Sequence, residues 1–188
     1  MSGTFVAVVG PSGAGKDSLI GFAREKLAGD DRVTFVRRVV TRPADGGSED
    51  HDSMAPADFA RAEAAGQFAL SWAAHDLHYG LPIALDADIA GGRVVVANLS
   101  RGMIPALLAR YPDAMIVNVT AARDVIARRL ASRGRETAES IRRRLDRSVA
   151  TGLPASTVEI DNSGALDVAG MQLTRLLGDL AGGAPSPA

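Results

Sequence analysis

At 188 residues and 46% apolar composition, the chain has room for one domain with a sizeable core. A net charge of −1 argues against the basic excess that broad nucleic-acid or membrane-surface binding requires. Zero cysteines exclude disulfides and thiolate chemistry. No apolar run approaches the length of a bilayer span, and the opening "MSGTFVAVVG" has neither a basic n-region nor a cleavage site. A cytoplasmic location is the expectation. Lysine occurs only at Lys16 and Lys26, so arginine supplies the other 19 of the 21 basic residues. A GC-rich codon supply accounts for much of that bias but not for its placement. Nine arginines fall between Arg123 and Arg147.

Short apolar runs alternate with helical patterns along the chain, as in a parallel sheet covered on both faces. Strands are predicted at 5–9, 33–40, 93–98, 114–120 and 157–161. Helices are predicted at 15–27, 103–110, 122–133, 137–150 and 166–180, with two shorter ones starting near Pro56 and Pro82. The stretch 41–80 breaks the alternation: it reads as loop, helix, short strand and turn, with Arg, His, Trp and Tyr scattered through it. An insertion of that kind commonly holds a second substrate. The expected organisation is a single domain over 1–181, with residues 182–188 as a disordered tail.

The segment "VAVVGPSGAGKDSL", residues 6–19, carries the chemistry. It has the frame G-x-x-x-x-G-K-[ST] between a strand and a helix, as the phosphate-cradling motif requires. Gly10, Gly13 and Gly15 allow backbone N–H groups to converge as an anion nest, with Pro11, Ser12 and Ala14 completing the loop. The following helix directs its positive end at the phosphates, and Lys16 reaches the β- and γ-phosphates of a nucleotide. Asp17 stands where the magnesium-binding hydroxyl is expected. Two readings follow: the hydroxyl has moved to Ser18, or Asp17 itself serves the metal. The first is favoured. The run "RVVVANLS" ends in Asn98 where a strand aspartate is usual.

The class follows by elimination. A GTPase needs N-K-x-D, which two lysines at 16 and 26 cannot supply. A kinase acting on an alcohol usually needs a base beside the acceptor. A kinase acting on a phosphate needs positive charge instead, because its attacking oxygen is already anionic. "RGRETAESIRRRLDR" offers that charge: Arg133 and Arg135 flank Gly134, and Arg143 and Arg147 share a helix face beside Arg144. A lid at about 131–140 is the expectation, with Arg133 and Arg144 joining Lys16 as catalytic residues.

In order, "GPSGAGK", "TRP" at 41–43, "SWAAHDLHYG" at 71–80, "RGRETAESIRRRL" and "IDN" at 160–162 resemble the guanylate-kinase-like branch of the nucleoside-monophosphate kinases. The resemblance implies a P-loop NTPase fold of class α/β: a five-stranded parallel sheet with helices on both faces, an acceptor-binding insertion and an Arg-rich lid. It places Arg42 and Tyr79 on the acceptor phosphate and Asn162 beside the adenine. Where guanylate kinases carry a second phosphate arginine, a guanine-reading glutamate and an aspartate pair, this chain has Asp45, Ser71 and "ANLSRG".

A nearer resemblance is to the ribose 1,5-bisphosphate phosphokinases of phosphonate catabolism, through G-K-D-S in the loop, "TRPADGGSEDH" and "LSWAAHDLHYG". It implies ATP and Mg2+ as cofactors, ribose 1,5-bisphosphate as acceptor and 5-phosphoribosyl 1-diphosphate as product. Arg38, Arg42, Ser48, His51, His78 and Tyr79 are then the candidates for holding the bisphosphate. His75 with His78 is disfavoured as a metal pair, and Trp72 is expected to pack rather than stack. Guanylate kinase and a non-catalytic interaction module are the competing readings. No nucleic-acid or membrane partner is expected, and the assembly is left open, a homodimer among the possibilities.

Overall fold

In the computed structural model of the protein, the structure describes residues 3–42, 51–74, 76–132 and 152–182. The elements in chain order are β1 (Thr4–Val9), α1 (Lys16–Lys26), β2 (Val33–Phe35), β3 (Arg38–Val40), β4 (His51–Ser53), α2 (Pro56–Ala64), β5 (Phe68–Ala74) and β6 (Leu77–Pro82). There follow α3 (Leu85–Ala90), β7 (Val94–Asn98), a 3-10 turn (Arg101–Met103), α4 (Ile104–Arg110), β8 (Met115–Thr120), α5 (Arg123–Ser132), β9 (Val158–Asp161) and α6 (Leu166–Leu180). The predicted helix over 137–150 and the proposed lid beyond Ser132 lie outside the described residues.

Five strands form a parallel sheet in the order β2-β7-β1-β8-β9. Both faces of β1 are covered, which is why its sequence is a continuous apolar run rather than an alternating one. Val6 and Val8 point into a core shared with α1 and α6 through Leu19, Ala23, Leu173 and Leu177. Phe5, Ala7 and Val9 point into the opposite core with Leu81, Leu85 and Leu107. Burying each such Val, Leu or Phe side chain contributes roughly 1.5–3 kcal/mol, which holds the loop after β1 on a rigid base. Gly170 of α6 lies so close to the Phe22 ring that a Cβ there would meet it at 2.5 Å, so α1 and α6 pack tightly.

One predicted strand is corrected. The run 33–40 is two strands in two sheets, β2 pairing with β7 and β3 pairing with β4 and β6. The break falls at Arg37 and Arg38, two basic residues between the apolar stretches 33–36 and 39–40, but the β-branched residues on either side make the run read as one strand. The stretch expected to hold a single short strand supplies β4, β5 and most of β6, which join β3 in a second sheet of order β4-β3-β6-β5. Its hairpin β5–β6 turns with Asp76 at φ 60°, a left-handed conformation that Asp tolerates better than most residues. No helix among the described residues is long and apolar enough to cross a membrane.

Candidate active site

The two sheets meet over a cleft of about 650 Å³ at the C-terminal end of β1 and β7, the edge where open parallel sheets bind ligands. The loop from Gly10 to Lys16 forms one wall. Gly10 has φ 145°, and a Cβ there would sit 2.2 Å from the Val119 carbonyl oxygen, so only glycine allows the chain to turn against β8. Gly15 caps α1 in the left-handed region at φ 92°. Lys16 Nζ donates to the carbonyls of Gly10 at 3.0 Å and Pro11 at 3.1 Å, which folds the ammonium back over the loop it serves.

The side chain of Asn162 braces that loop from behind. It is 1% exposed, and its Nδ2 donates to the Ala14 carbonyl at 2.7 Å. It occupies the space a Cβ on Gly15 would need, with 2.4 Å between them. The structure therefore gives Asn162 a buried positioning contact rather than a place on the cleft wall. Arg129 of α5 donates to the same carbonyl at 3.3 Å. The sequence reading passed over this residue within the arginine-rich stretch.

Asp17 lines the cleft and Ser18 does not; Ser18 is exposed on α1. Asp17 Oδ1 accepts from Asn98 Nδ2 at 2.6 Å and lies 3.6 Å from Arg38 Nη2. For a cation with a preference for oxygen ligands, this wall offers the Asp17 carboxylate, to which the Asn98 amide is bonded through Nδ2.

The opposite wall comes from the second sheet. Alternation along the strands puts Trp72, Ala74, Leu77 and Tyr79 on the cleft face. Trp72 both packs and stacks: it touches the core and lies on Tyr79 with centroids 5.3 Å apart and planes 8° apart. The Arg38 guanidinium stands 5.8 Å from the Tyr79 ring centroid, and Arg42 enters from the end of β3.

The same alternation takes His78 to the other face, against the Phe59 ring of α2. His51 pairs in register with Arg38 but is buried at 6% exposure and does not line the cleft. Neither histidine is among the residues that line the cleft. Ser71 also faces away, its Oγ donating to Glu63 Oε1 at 2.6 Å. Ser48, His75, Arg133 and Arg144 lie outside the described residues. Among the described residues no three His, Asp or Glu side chains gather as a metal cluster.

The third wall follows β7 and contributes a residue that sequence reasoning missed. Arg101, in the turn after Asn98, lines the cleft, and desolvation lowers its pKa from the ordinary arginine value. It remains charged at any physiological pH. Its signal lay in "ANLSRG", noticed only for the acids it lacks. Among the described residues the cleft is thus lined by four cations, Lys16, Arg38, Arg42 and Arg101, and one carboxylate, Asp17.

Together the fold and the cleft define a phosphate-loop kinase. A guanylate kinase from Anaplasma phagocytophilum superposes with a TM-score of 0.66 at 15% identity, covering 94% of this chain and 85% of that one. No family model matches the chain. Its sequence is 53% identical over 163 residues to the ribose 1,5-bisphosphate phosphokinase PhnN of Brucella melitensis, covering 86% of this chain and 85% of that protein. The protein of the same name from Chelativorans sp. is 52% identical over 180 residues, covering 93% of this chain and 85% of its own length. The chain belongs to the ribose 1,5-bisphosphate phosphokinase family.

Proposed function

We propose that the protein transfers the γ-phosphoryl group of ATP to the 1-phosphate of ribose 1,5-bisphosphate, giving 5-phosphoribosyl 1-diphosphate and ADP. The carrying observation is the cleft that joins the phosphate loop to Arg38, Arg42, Arg101 and Tyr79 in one cavity. Two polyanions must approach each other in the transfer, and fixed cations lower the cost of bringing them together. In the step, an oxygen of the 1-phosphate forms a bond to the γ-phosphorus while the bond from that phosphorus to the β,γ-bridging oxygen breaks. The attacking oxygen is already ionised, so no side chain has to remove a proton. That suits a cleft whose one carboxylate, among the described residues, belongs to the phosphate loop.

The residues divide the work. Backbone N–H groups of the loop hold the nucleotide phosphates, and Lys16 follows the migrating group. Arg42 and Tyr79 hold the acceptor phosphate, and Arg38 and Arg101 add positive charge along the same cleft. Mg2+ would neutralise charge on the nucleotide phosphates. Asp17 would hold it, a reading supported by its place on the cleft and by Ser18 being exposed and off it. The arginines at 133 and 144 remain proposed contributors from a closing lid.

The test is a ³¹P spectrum of purified enzyme with Mg2+, ATP and ribose 1,5-bisphosphate. The expected result is loss of the anomeric monoester resonance and growth of two mutually coupled diphosphate resonances. A monoester signal unchanged after many enzyme equivalents of time would overturn the assignment.

A further inference from the structure

We propose that the metal-holding pair of the phosphate-loop fold is exchanged in this chain: the carboxylate stands on the loop as Asp17, and its neutral partner stands on the strand as Asn98. The inference rests on the kinase reading above and goes further, to the charge arrangement of the metal site. Phosphate-loop enzymes ordinarily hold Mg2+ with a hydroxyl directly after the loop lysine and an aspartate at the end of a neighbouring strand. Here the residue after Lys16 is Asp17, and β7, hydrogen-bonded to β1, ends at Asn98.

The two side chains meet although 81 residues separate them. Asn98 Nδ2 donates to Asp17 Oδ1 at 2.6 Å. Strand register fixes the meeting point. Asn98 lies beside Val8, and the next residue, Leu99, donates its N–H to the Val8 carbonyl at 3.0 Å. At 7% exposure Asn98 has little freedom to turn away. The Arg38 contact falls on Oδ1 as well, so the oxygen assigned to the cation is Oδ2.

The exchange conserves charge. A hydroxyl with an aspartate and an aspartate with an asparagine both bring one negative charge and one neutral polar group to the site. Two carboxylates at this separation would repel each other, and none would leave the cation to the phosphates alone. Asn98 is in these terms a positioning residue: its amide orients the carboxylate that faces the cleft. Loss of such a partner typically costs on the order of 10- to 100-fold in metal affinity.

The experiment measures Mn2+, an oxygen-preferring stand-in for Mg2+, through the electron paramagnetic resonance signal of the free ion in the presence of ADP. Wild type is compared with Asp17→Ser, Asn98→Ala, Ser18→Ala and the double variant Asp17→Ser/Asn98→Asp. ADP affinity without metal and thermal melting are recorded for each, and Asp17→Asn replaces Asp17→Ser if the latter does not fold. Asp17→Ser is expected to weaken Mn2+ binding by about tenfold or more, and Asn98→Ala by a smaller factor. The double variant, which restores the ordinary arrangement, is expected to recover to within about threefold of wild type. Wild-type Mn2+ affinity in Asp17→Ser, or a double variant no tighter than Asp17→Ser, would overturn the exchange. So would loss of Mn2+ binding in Ser18→Ala alone. Failure of the wild type to bind ADP would instead overturn the kinase reading on which the exchange depends.

Discussion

Lys16→Ala is expected to lower kcat by a factor of about 10³ and to leave the melting temperature within a few degrees of wild type, by about the cost of one exposed-loop contact. The two effects separate because the ammonium is bonded to the loop it serves, at the carbonyls of Gly10 and Pro11. Those bonds hold a side chain in readiness and carry little of the fold, whose core lies beneath them in Val6, Val8 and Leu19. The charge matters when the phosphoryl group is between its two oxygens and negative charge has spread over it. Stabilisation made only at that point appears in kcat rather than in the KM for ATP. Steady-state kinetics with ATP varied at saturating acceptor decides between the two. An effect confined to the KM for ATP would make Lys16 a ground-state binder and remove it from the transfer step.

Arg42→Ala and Arg101→Ala are each expected to raise the KM for ribose 1,5-bisphosphate by roughly 10- to 100-fold, with the KM for ATP changed less than about threefold. A charge-assisted hydrogen bond to phosphate is worth about 1.5–3 kcal/mol, which sets that range. Both guanidinium groups line the cleft, Arg42 from the end of β3 and Arg101 from the turn after β7, and neither belongs to the phosphate loop itself. Lysine at either position should recover part of the affinity, since the charge returns without the planar two-pronged geometry. Acceptor saturation curves for the two variants check the point. An unchanged acceptor KM in Arg101→Ala would leave that residue as part of the turn after β7 and nothing more.

The phosphate loop was legible because its chemistry is local. A strand, three glycines, the loop lysine and a helix all fall between Thr4 and Lys26, and the loop they specify forms one wall of the cleft. The parallel sheet was legible for a related reason: strands buried on both faces read as continuous apolar runs. The acceptor half was harder because its geometry is made by pairing at long range. Whether Tyr79 or His78 faces the cleft depends on the register of β6 against β3 and β5, and a one-residue change exchanges the two faces. The aromatic pair Trp72–Tyr79 and the departure of His78 both follow from that register. In 33–40 the mark of the switch between sheets is the pair Arg37 and Arg38, two charged residues inside a run that otherwise reads as one strand. Arg101 was visible as a letter but not as a site, since only the parallel pairing of β7 with β1 brings it beside the loop. Asp17 presented the opposite problem. Its place in the motif was plain, but its contact with Asn98 crosses 81 residues.

The central claim is that the acceptor is a sugar bisphosphate rather than a nucleotide, and an acceptor comparison tests it most directly. Purified enzyme is given ATP and Mg2+ with either ribose 1,5-bisphosphate or GMP, and kcat/KM is measured for each. A site built to hydrogen-bond a nucleobase gains factors on the order of 10⁴ over ligands that lack those groups. In this chain the residue at the base-reading place, Ser71, is turned from the cleft and bonded to Glu63. The cleft wall instead offers Arg38, Arg42 and Arg101. The account predicts a kcat/KM for ribose 1,5-bisphosphate about 10³-fold or more above that for GMP. Rapid phosphorylation of GMP with no turnover of ribose 1,5-bisphosphate would contradict it.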